Sequence, residues 1–341
     1  MHYVGCDIHK RNSHFQHILE DGTLGSSMNL PTCSSSFDSF LSQLPAAATL
    51  TIEAGRNHWW ISQYLIDHPK VEQVNVVDAR RSRKIAEELA VQSGYGRAKT
   101  DRIDAEMLAE LTRLGILPRI HLPTVQELEF RSICRYRFQL AGDKTISANR
   151  LQGLLAMHGV NIKTATLLKE YASQAPYLAR LPEEVLWIIG NLLSQIRLCQ
   201  LLIKRCDRRL TTLLPESHPQ VKLLLTVPGI GIVCARIIVT EIFSIQYFKD
   251  HRYLISYSGL APILQESAGR KKVIKLNRHC NYYLKYAFVT AAHAARKHPK
   301  YQDKYQQDVK KHGKIIAKLN LARRLAKAVY WMLARQQPFK E

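Results

Sequence analysis

Through the first hundred positions, apolar residues come in short blocks separated by turn signals. Tyr3 to Ile8 is one block of strand length and His14 to Leu19 a second. Asp21-Gly22 marks a turn, after which Thr23 to Leu30 reads as a third strand. Ser34-Ser35-Ser36 then caps a helix that runs through Leu44. Thr49 to Ala54 has the character of a buried strand, and a helix over Trp59 to Asp67 follows Gly55. Val74 to Val77 is another strand and Arg80 to Ala90 another helix. Beyond a basic break at Gly94-Tyr95-Gly96-Arg97, Thr100 is placed to cap a helix over Asp101 to Leu114, and Pro118 and Pro123 close the region.

Three strands, helix, strand, helix, strand, helix is the order of an RNase H-like (RuvC-like) α/β domain, here over residues 1–118. Residues 119–215 read as helical. Val185, Ile189, Leu192, Ile196, Cys199, Ile203, Cys206, Leu210 and Leu213 alternate in steps of four and three, and all are apolar. Such a seam predicts a coiled coil or a long helical hairpin, and a coiled-coil, dimerising middle is the expectation. Pro215 and Pro219 set off a mainly α-helical C-terminal domain, 216–341. It opens with a helix over Val221 to Thr226, then Val227-Pro228-Gly229-Ile230-Gly231, then a helix through Ile242. That plan is either a helix-hairpin-helix, whose turn amides can hold a DNA phosphate, or a plain tight turn. Two further helices, about 279–297 and 313–335, end the chain.

Charge changes the picture most. The 341 residues carry 49 Lys and Arg against 28 acids, a net charge of +21. An excess of this size points to a polyanionic partner, because each neutralised phosphate releases a condensed counterion. No stretch approaches the ~18 uninterrupted apolar residues of a membrane span, and Met1-His2-Tyr3-Val4 lacks the plan of a signal peptide, so a cytoplasmic protein without a membrane partner is expected. Seven dispersed cysteines without a CxxC pair argue against a disulfide framework or a zinc knuckle. Basic residues cluster at Arg80 to Lys84, at Arg97 and Lys99, at Arg131, Arg135 and Arg137, at Lys204 to Arg209, at Arg270, Lys271, Lys272, Lys275 and Arg278, and along the tail from Lys310 to Lys327. Tyr282, Tyr283 and Tyr286 interleave with them and are candidates for stacking on bases.

The candidate chemistry lies in carboxylates. Asp7 falls in the first strand among Val4, Cys6 and Ile8, and Glu53 ends the strand Thr49-Leu50-Thr51-Ile52. Asp101 and Asp104, three apart on a helix, project from one face. An acid in a central strand is costly unless it is paired or binds a cation. Four of them on elements that come together would hold hard cations such as Mg²⁺, which suit phosphoryl transfer.

Three strings, Tyr3-Val4-Gly5-Cys6-Asp7-Ile8-His9-Lys10, Ile52-Glu53-Ala54-Gly55 and Lys99-Thr100-Asp101-Arg102-Ile103-Asp104-Ala105, resemble the N-terminal half of the DEDD transposases, the insertion-sequence family related to the Piv/MooV invertases. Pro228-Gly229-Ile230-Gly231, Tyr257-Ser258-Gly259-Leu260-Ala261-Pro262, Gln265-Glu266-Ser267-Ala268-Gly269-Arg270 and Asn281-Tyr282-Tyr283-Leu284-Lys285 resemble its C-terminal half. The resemblance implies that Asp7, Glu53, Asp101 and Asp104 are the metal-binding acids, and that Ser267 is a nucleophile joining covalently to DNA. Family members often carry Gly where Ala268 stands. It further implies double-stranded DNA substrates, a noncoding bridge RNA as guide, and a homodimer that assembles into a tetramer in a bacterial cytoplasm, near the nucleoid. On the residues alone, Ser267 sits in a polar loop followed by Arg270, Lys271 and Lys272, cations suited to a developing phosphorane charge. The competing readings are a Holliday-junction-type Mg²⁺-dependent endonuclease, in which water attacks and Ser267 is a bystander, and a non-catalytic nucleic-acid-binding factor.

Overall fold

The computed structural model describes residues 1–93, 100–170, 176–267, 270–276 and 279–340. The chain divides into two compact units, Met1–Leu122 and Pro123–Glu341. The first is built on a mixed sheet with helices; the second is mostly helical.

The N-terminal sheet has the order β3-β2-β1-β4-β5, where β1 is His2–Ile8, β2 Asn12–Leu19, β3 Leu24–Pro31, β4 Ala48–Glu53 and β5 Val71–Val77. β1, β2 and β3 form an antiparallel meander, while β4 and β5 run parallel to β1. The parallel strands are reached through α1 (Ser34–Ser42) and α2 (His58–Ile66), as parallel pairing demands a crossover. α3 (Ala79–Ser93) and α4 (Asp101–Arg113) follow β5.

Alternation along β1 assigns its two faces. Val4 and Cys6 join Phe15, Leu50 and Ile52 in a core with Phe37, Phe40, Leu41, Ile61 and Leu65 of α1 and α2. Phe15 stacks on Phe40 at 4.8 Å and meets Phe37 edge-on at 5.0 Å. On the other face, Gly5 lies beneath α4. A Cβ there would collide with the Ala105 carbonyl and stand 2.5 Å from the Ala109 amide nitrogen and 2.9 Å from Leu108 Cβ. Only a residue without a side chain lets helix and strand approach this closely. Thr51, one strand over and in register with Gly5, accepts a hydrogen bond from Thr112 Oγ1 of α4 at 2.7 Å.

Elements are longer than the sequence suggests where polar residues open or close them. β5 begins at Val71, because Glu72 and Gln73 sit on exposed positions of a strand whose later residues are buried. The three serines do not cap α1. Cys33 is its N-cap and makes no side-chain capping bond; Ser34 to Ser36 form the first turn, with the Cys33 thiol 3.2 Å from Ser35 Oγ and 3.1 Å from Ser36 Oγ. Thr100 does cap α4, accepting from the Ile103 amide at 3.3 Å.

The C-terminal unit starts with α5 (Val125–Met157), opened by a Thr124/Glu127 capping box. α6 (Thr164–Lys169) precedes α7 (Glu183–Leu213). Arg137 pairs with Asp207 at 2.8 Å and Ser147 with Gln195 at 3.2 Å, so α5 and α7 run antiparallel, a long helical hairpin. The seam predicted on α7 faces into it: Ile189, Leu192 and Ile196 form a cluster with Leu151 and Leu155. α7 is also long and apolar enough to cross a bilayer by length and composition. Its other faces expose Trp187, Ile188, Leu198 and Leu201.

The remainder folds around one large core. α8 (Pro219–Leu225) leads through Gly229 into α9 (Ile232–Ile242), and α10 (His251–Tyr257) follows. Gly229, at φ +89°, touches Ala291 and Ala295 of α11 (Tyr282–Ala295), which leaves no room for a Cβ. Between α10 and α11, β6 (Pro262–Ser267) and β7 (Arg270–Leu276) form an antiparallel pair. The stretch around Ser267, expected as a polar loop in a mainly α-helical domain, is this hairpin; in sequence, a strand carrying Arg270, Lys271, Lys272 and Lys275 resembles a solvated loop. The last helix, α12, runs Pro299–Arg335, some fourteen residues earlier than expected, and is broken at Gly313 (φ 81°, ψ 164°). Asp308 bonds Arg324 at 2.9 Å. Sixteen residues of straight helix would separate these two by about 24 Å, so the two arms fold back on one another.

Replacing Gly5 by Ala should destabilise the N-terminal unit by about 1–3 kcal/mol or more, since backbone rather than a movable side chain is in the way. Thermal unfolding followed by circular dichroism checks this; an unchanged midpoint would show that α4 does not depend on the close approach.

Candidate metal centre

The contact between α4 and β1 decides where the four acids go. Asp7 is two residues beyond Gly5 and so shares the face beneath α4. Glu53 follows Ile52, the last residue of β4 in register with β1, and shares that face through Thr51. Asp101 and Asp104 occupy the first turn of α4. Acids at a helix N-terminus interact favourably with the helix dipole, which helps to hold them there.

Burial and mutual repulsion dominate the electrostatics. Asp7 is 7 % exposed. Burial raises its pKa, the neighbouring His9 lowers it, and Asp104 and Asp101 raise it further. Glu53 is pushed to about 7, chiefly by burial, then by Asp7 and Asp104, with Arg83 opposing and Asp78 adding. Three of the four acids therefore feel one another directly. Repulsion of this kind is relieved by a proton or by a cation.

His9 is the residue that sequence reasoning did not single out. Its Nε2 lies 3.1 Å from Asp7 Oδ2 and 3.3 Å from Asp101 Oδ1. Asp7, His9 and Asp101 each offer a ligand atom, all within 4.8 Å of one another. His14, opposite Asp7 on β2, has its pKa lowered, first by burial, while Asp101 and Asp7 oppose the shift. The available signal for His9 was its place two residues after Asp7, just past the strand end. A set of carboxylate oxygens with one imidazole suits a hard or borderline divalent cation.

Ser267 belongs to the other unit. It is the last residue of β6, in register with Arg270 of β7, so it stands at the tip of a β-hairpin rather than in a loop. Lys271, Lys272 and Lys275 are also on β7. Arg97, Lys99 and Arg278 lie outside the described residues. Other basic groups are already engaged. Arg135 makes two bonds to Glu241, at 2.7 and 2.8 Å, Arg131 lies 3.6 Å from the same carboxylate, and Arg137 is paired with Asp207. That cluster is structural. Tyr282, Tyr283 and Tyr286 all meet Phe138 edge-on, at 5.9, 5.1 and 4.7 Å. Tyr282 nonetheless remains largely exposed.

Comparison with known proteins covers both halves. Residues 4–159 match the model for DEDD-type IS110 transposases, and residues 221–307 match the transposase IS116/IS110/IS902 family. The transposase of insertion sequence element IS1111A from Coxiella burnetii is 20% identical over 252 residues, 71% of this chain and 68% of that protein. The transposase of element IS1328 from Yersinia enterocolitica is 22% identical over 250 residues, 70% and 72% of the two chains. A putative transposase of Sinorhizobium fredii, y4rJ, is 28% identical over 236 residues, 62% and 56%.

The raised pKa of Glu53 gives a signed expectation for the metal-free protein. The folded state holds a proton up to about pH 7 that the unfolded chain releases near its ordinary value of 4.5. Stability should therefore fall as pH rises between about 4.5 and 7. In EDTA, Glu53→Gln should melt a few degrees above the unmodified protein at pH 8, with the gap closing near pH 4. A variant that melts lower at pH 8 would mean the acids are not in conflict. Adding Mg²⁺ at pH 8 should stabilise the unmodified protein much more than the variant.

Proposed function

We propose that the chain is a transposase of the IS110/IS116 type, an enzyme that cleaves and transfers DNA, and that it exchanges DNA strands through a covalent phosphoserine at Ser267, with Mg²⁺ held by Asp7, Glu53, Asp101 and Asp104. The observation that carries the metal half is the ligand set of Asp7, His9 and Asp101, whose atoms lie within 4.8 Å of one another, beside a Glu53 displaced to about 7 by burial, Asp7 and Asp104. The strand order β3-β2-β1-β4-β5, with β1, β4 and β5 parallel, supports an RNase H-like (RuvC-like) domain.

The residues take separate roles. Asp7 and Glu53, fixed on adjacent strands, are the rigid ligands; Asp101 and Asp104 come in from the helix, and His9 orients Asp7 and Asp101. A divalent ion held by this set would neutralise phosphate charge and activate the attacking and leaving oxygens. Ser267 Oγ bonds to phosphorus as one P–O bond of the strand breaks; the serine gives up its proton and the departing strand end leaves as a hydroxyl. One phosphoester replaces another, so rejoining by the reverse step needs no ATP. Arg270, Lys271, Lys272 and Lys275, with Arg97, Lys99 and Arg278, are assigned to the nucleic acid. A net charge of +21 suits a polyanionic partner, and a noncoding bridge RNA is the second polyanion that the family resemblance implies beside DNA.

Self-association is assigned to the helical hairpin. Trp187 is 71% exposed and Leu198 55%, with Ile188 and Leu201 beside them on α7, an apolar surface suited to a second copy in a dimer that pairs into a tetramer. The protein would act in the bacterial cytoplasm on nucleoid DNA.

Two experiments test this reading. Incubated with end-labelled DNA and Mg²⁺, the protein should form a denaturant-resistant adduct that Ser267→Ala abolishes and that Asp101→Asn reduces roughly 10–100-fold. Free cut ends without adduct, unaffected by Ser267→Ala, would replace it with a Holliday-junction-type endonuclease. Light scattering should show that Leu198→Glu with Leu201→Glu lowers the oligomeric mass; an unchanged mass would place the interface elsewhere.

A further inference from the structure

The fold-back of α12 at Gly313 creates a groove that the strand-exchange site does not use. Its volume is about 310 Å³. One wall is a helical stripe, Gln302, Tyr305, Gln306 and Val309, spaced i, i+3, i+4 and i+7 on the first arm of α12. Arg296 and Lys297, at the end of α11, form the opposite rim, and Lys314, just past the break, closes it.

The lining contains three cations, two amides and no carboxylate. Among the described residues Arg296, Lys297 and Lys314 form no ion pair. The one buried acid on the first arm, Asp308, is engaged with Arg324 and Asn320. Tyr305 is 6% exposed, and its hydroxyl, unpaired among the described residues, keeps contact with solvent at the groove. A hydroxyl that keeps contact with solvent is free to donate to a ligand in the groove. Arg296 and Lys297 are partly explained by the helix C-terminus, where the dipole favours cations. Lys314 begins an arm, where the dipole disfavours it, so the helix does not account for its charge.

We propose that this groove binds the phosphodiester backbone of a DNA strand, with Arg296, Lys297 and Lys314 on phosphate oxygens and the Tyr305 hydroxyl donating to the same strand. The inference rests on the family's DNA substrate but not on Ser267 or the metal. Contacts of this sort fix position and orientation on DNA without reading sequence. Gln302 and Gln306 are long enough to add hydrogen bonds to sugar or phosphate.

The test measures binding in EDTA, where no chemistry occurs. Unmodified protein and the triple variant Arg296→Gln, Lys297→Gln, Lys314→Gln are titrated against labelled duplex DNA and a labelled hairpin RNA over a salt series. On DNA the slope of log K against log salt should shrink by about 2–3, at roughly 0.9 per phosphate released. Affinity at low salt should fall at least about tenfold. Tyr305→Phe should weaken DNA binding roughly 2–10-fold while leaving the slope unchanged. A second triple variant, Lys163→Gln, Lys169→Gln, Arg180→Gln, removes equal charge elsewhere and should leave most of the slope intact. The proposal is overturned if the groove variant keeps the full slope, if the control variant loses as much, or if only RNA binding suffers. In those cases the strand-exchange reading stands. Failure of the unmodified protein to bind either nucleic acid would sink both.

Discussion

The approach of α4 to β1 at Gly5 is the constraint on which the candidate chemistry depends. With no side chain at position 5, the backbone of Ala105 and Ala109 rests directly on the strand. That contact fixes the height of the helix, and its first turn then delivers Asp101 and Asp104 to the strand ends bearing Asp7 and Glu53. The hydrogen bond from Thr112 to Thr51 pins the same interface one strand over, inside a protein interior where an unpaired hydroxyl would be costly. Below the sheet, the aromatic cluster of Phe15, Phe37 and Phe40 holds the opposite face rigid. Acids on strands and acids carried by a helix are thus positioned by the fold itself, as a preformed cation site would require.

The arrangement runs against folding stability. Burial and neighbouring acids raise the pKa of Asp7 and of Glu53, and nothing nearby fully offsets them: His9 helps Asp7, Arg83 helps Glu53. A structural cluster would have recruited arginines. The C-terminal unit does so, where Glu241, 2% exposed, is held by Arg131, Arg135 and Asn281. Two buried acid sites in one chain thus have opposite solutions, one closed by side-chain partners and one left short of positive charge. The second is the arrangement expected where a cation from solution completes the set.

Much of the N-terminal unit was legible because its signals are local. Short apolar blocks, the Asp21-Gly22 turn and the Thr100 cap each have one physical reading, and the acids stood out as charges inside strands. The role of Gly5 was not legible, since what it accommodates is a hundred residues away. His9 was missed because it lies past the strand end, where a histidine after an aspartate looks like an ordinary loop. The hairpin that carries Ser267 was hidden by its charge. The fold-back at Gly313 was not legible, because the last helix was expected to start there and the polar stretch 299–312 did not read as a helical arm. The basic cluster at Arg131, Arg135 and Arg137 misled in the other direction, because its partners Glu241 and Asp207 are supplied from distant helices.

Those partners bear on how a serine on a hairpin could be held in place. β6 leaves the helical core after Leu260, whose carbonyl accepts from Arg323 Nε at 2.6 Å. The chain returns at Asn281, whose amide donates to the Tyr257 carbonyl at 2.7 Å and whose Nδ2 donates to Glu241 at 2.7 Å. Glu241 in turn carries the two arginines of α5, so the base of the hairpin is tied to the same helix that forms one arm of the α5–α7 pair. Removing one member of a buried ion pair typically costs about 3–5 kcal/mol, because the remaining charge is stranded. A network of that strength sets a stiff foundation beneath a two-stranded element that would be marginal by itself. Precision in the position of Ser267 therefore comes from the helical core under the hairpin, as precision in the acids comes from the sheet under α4.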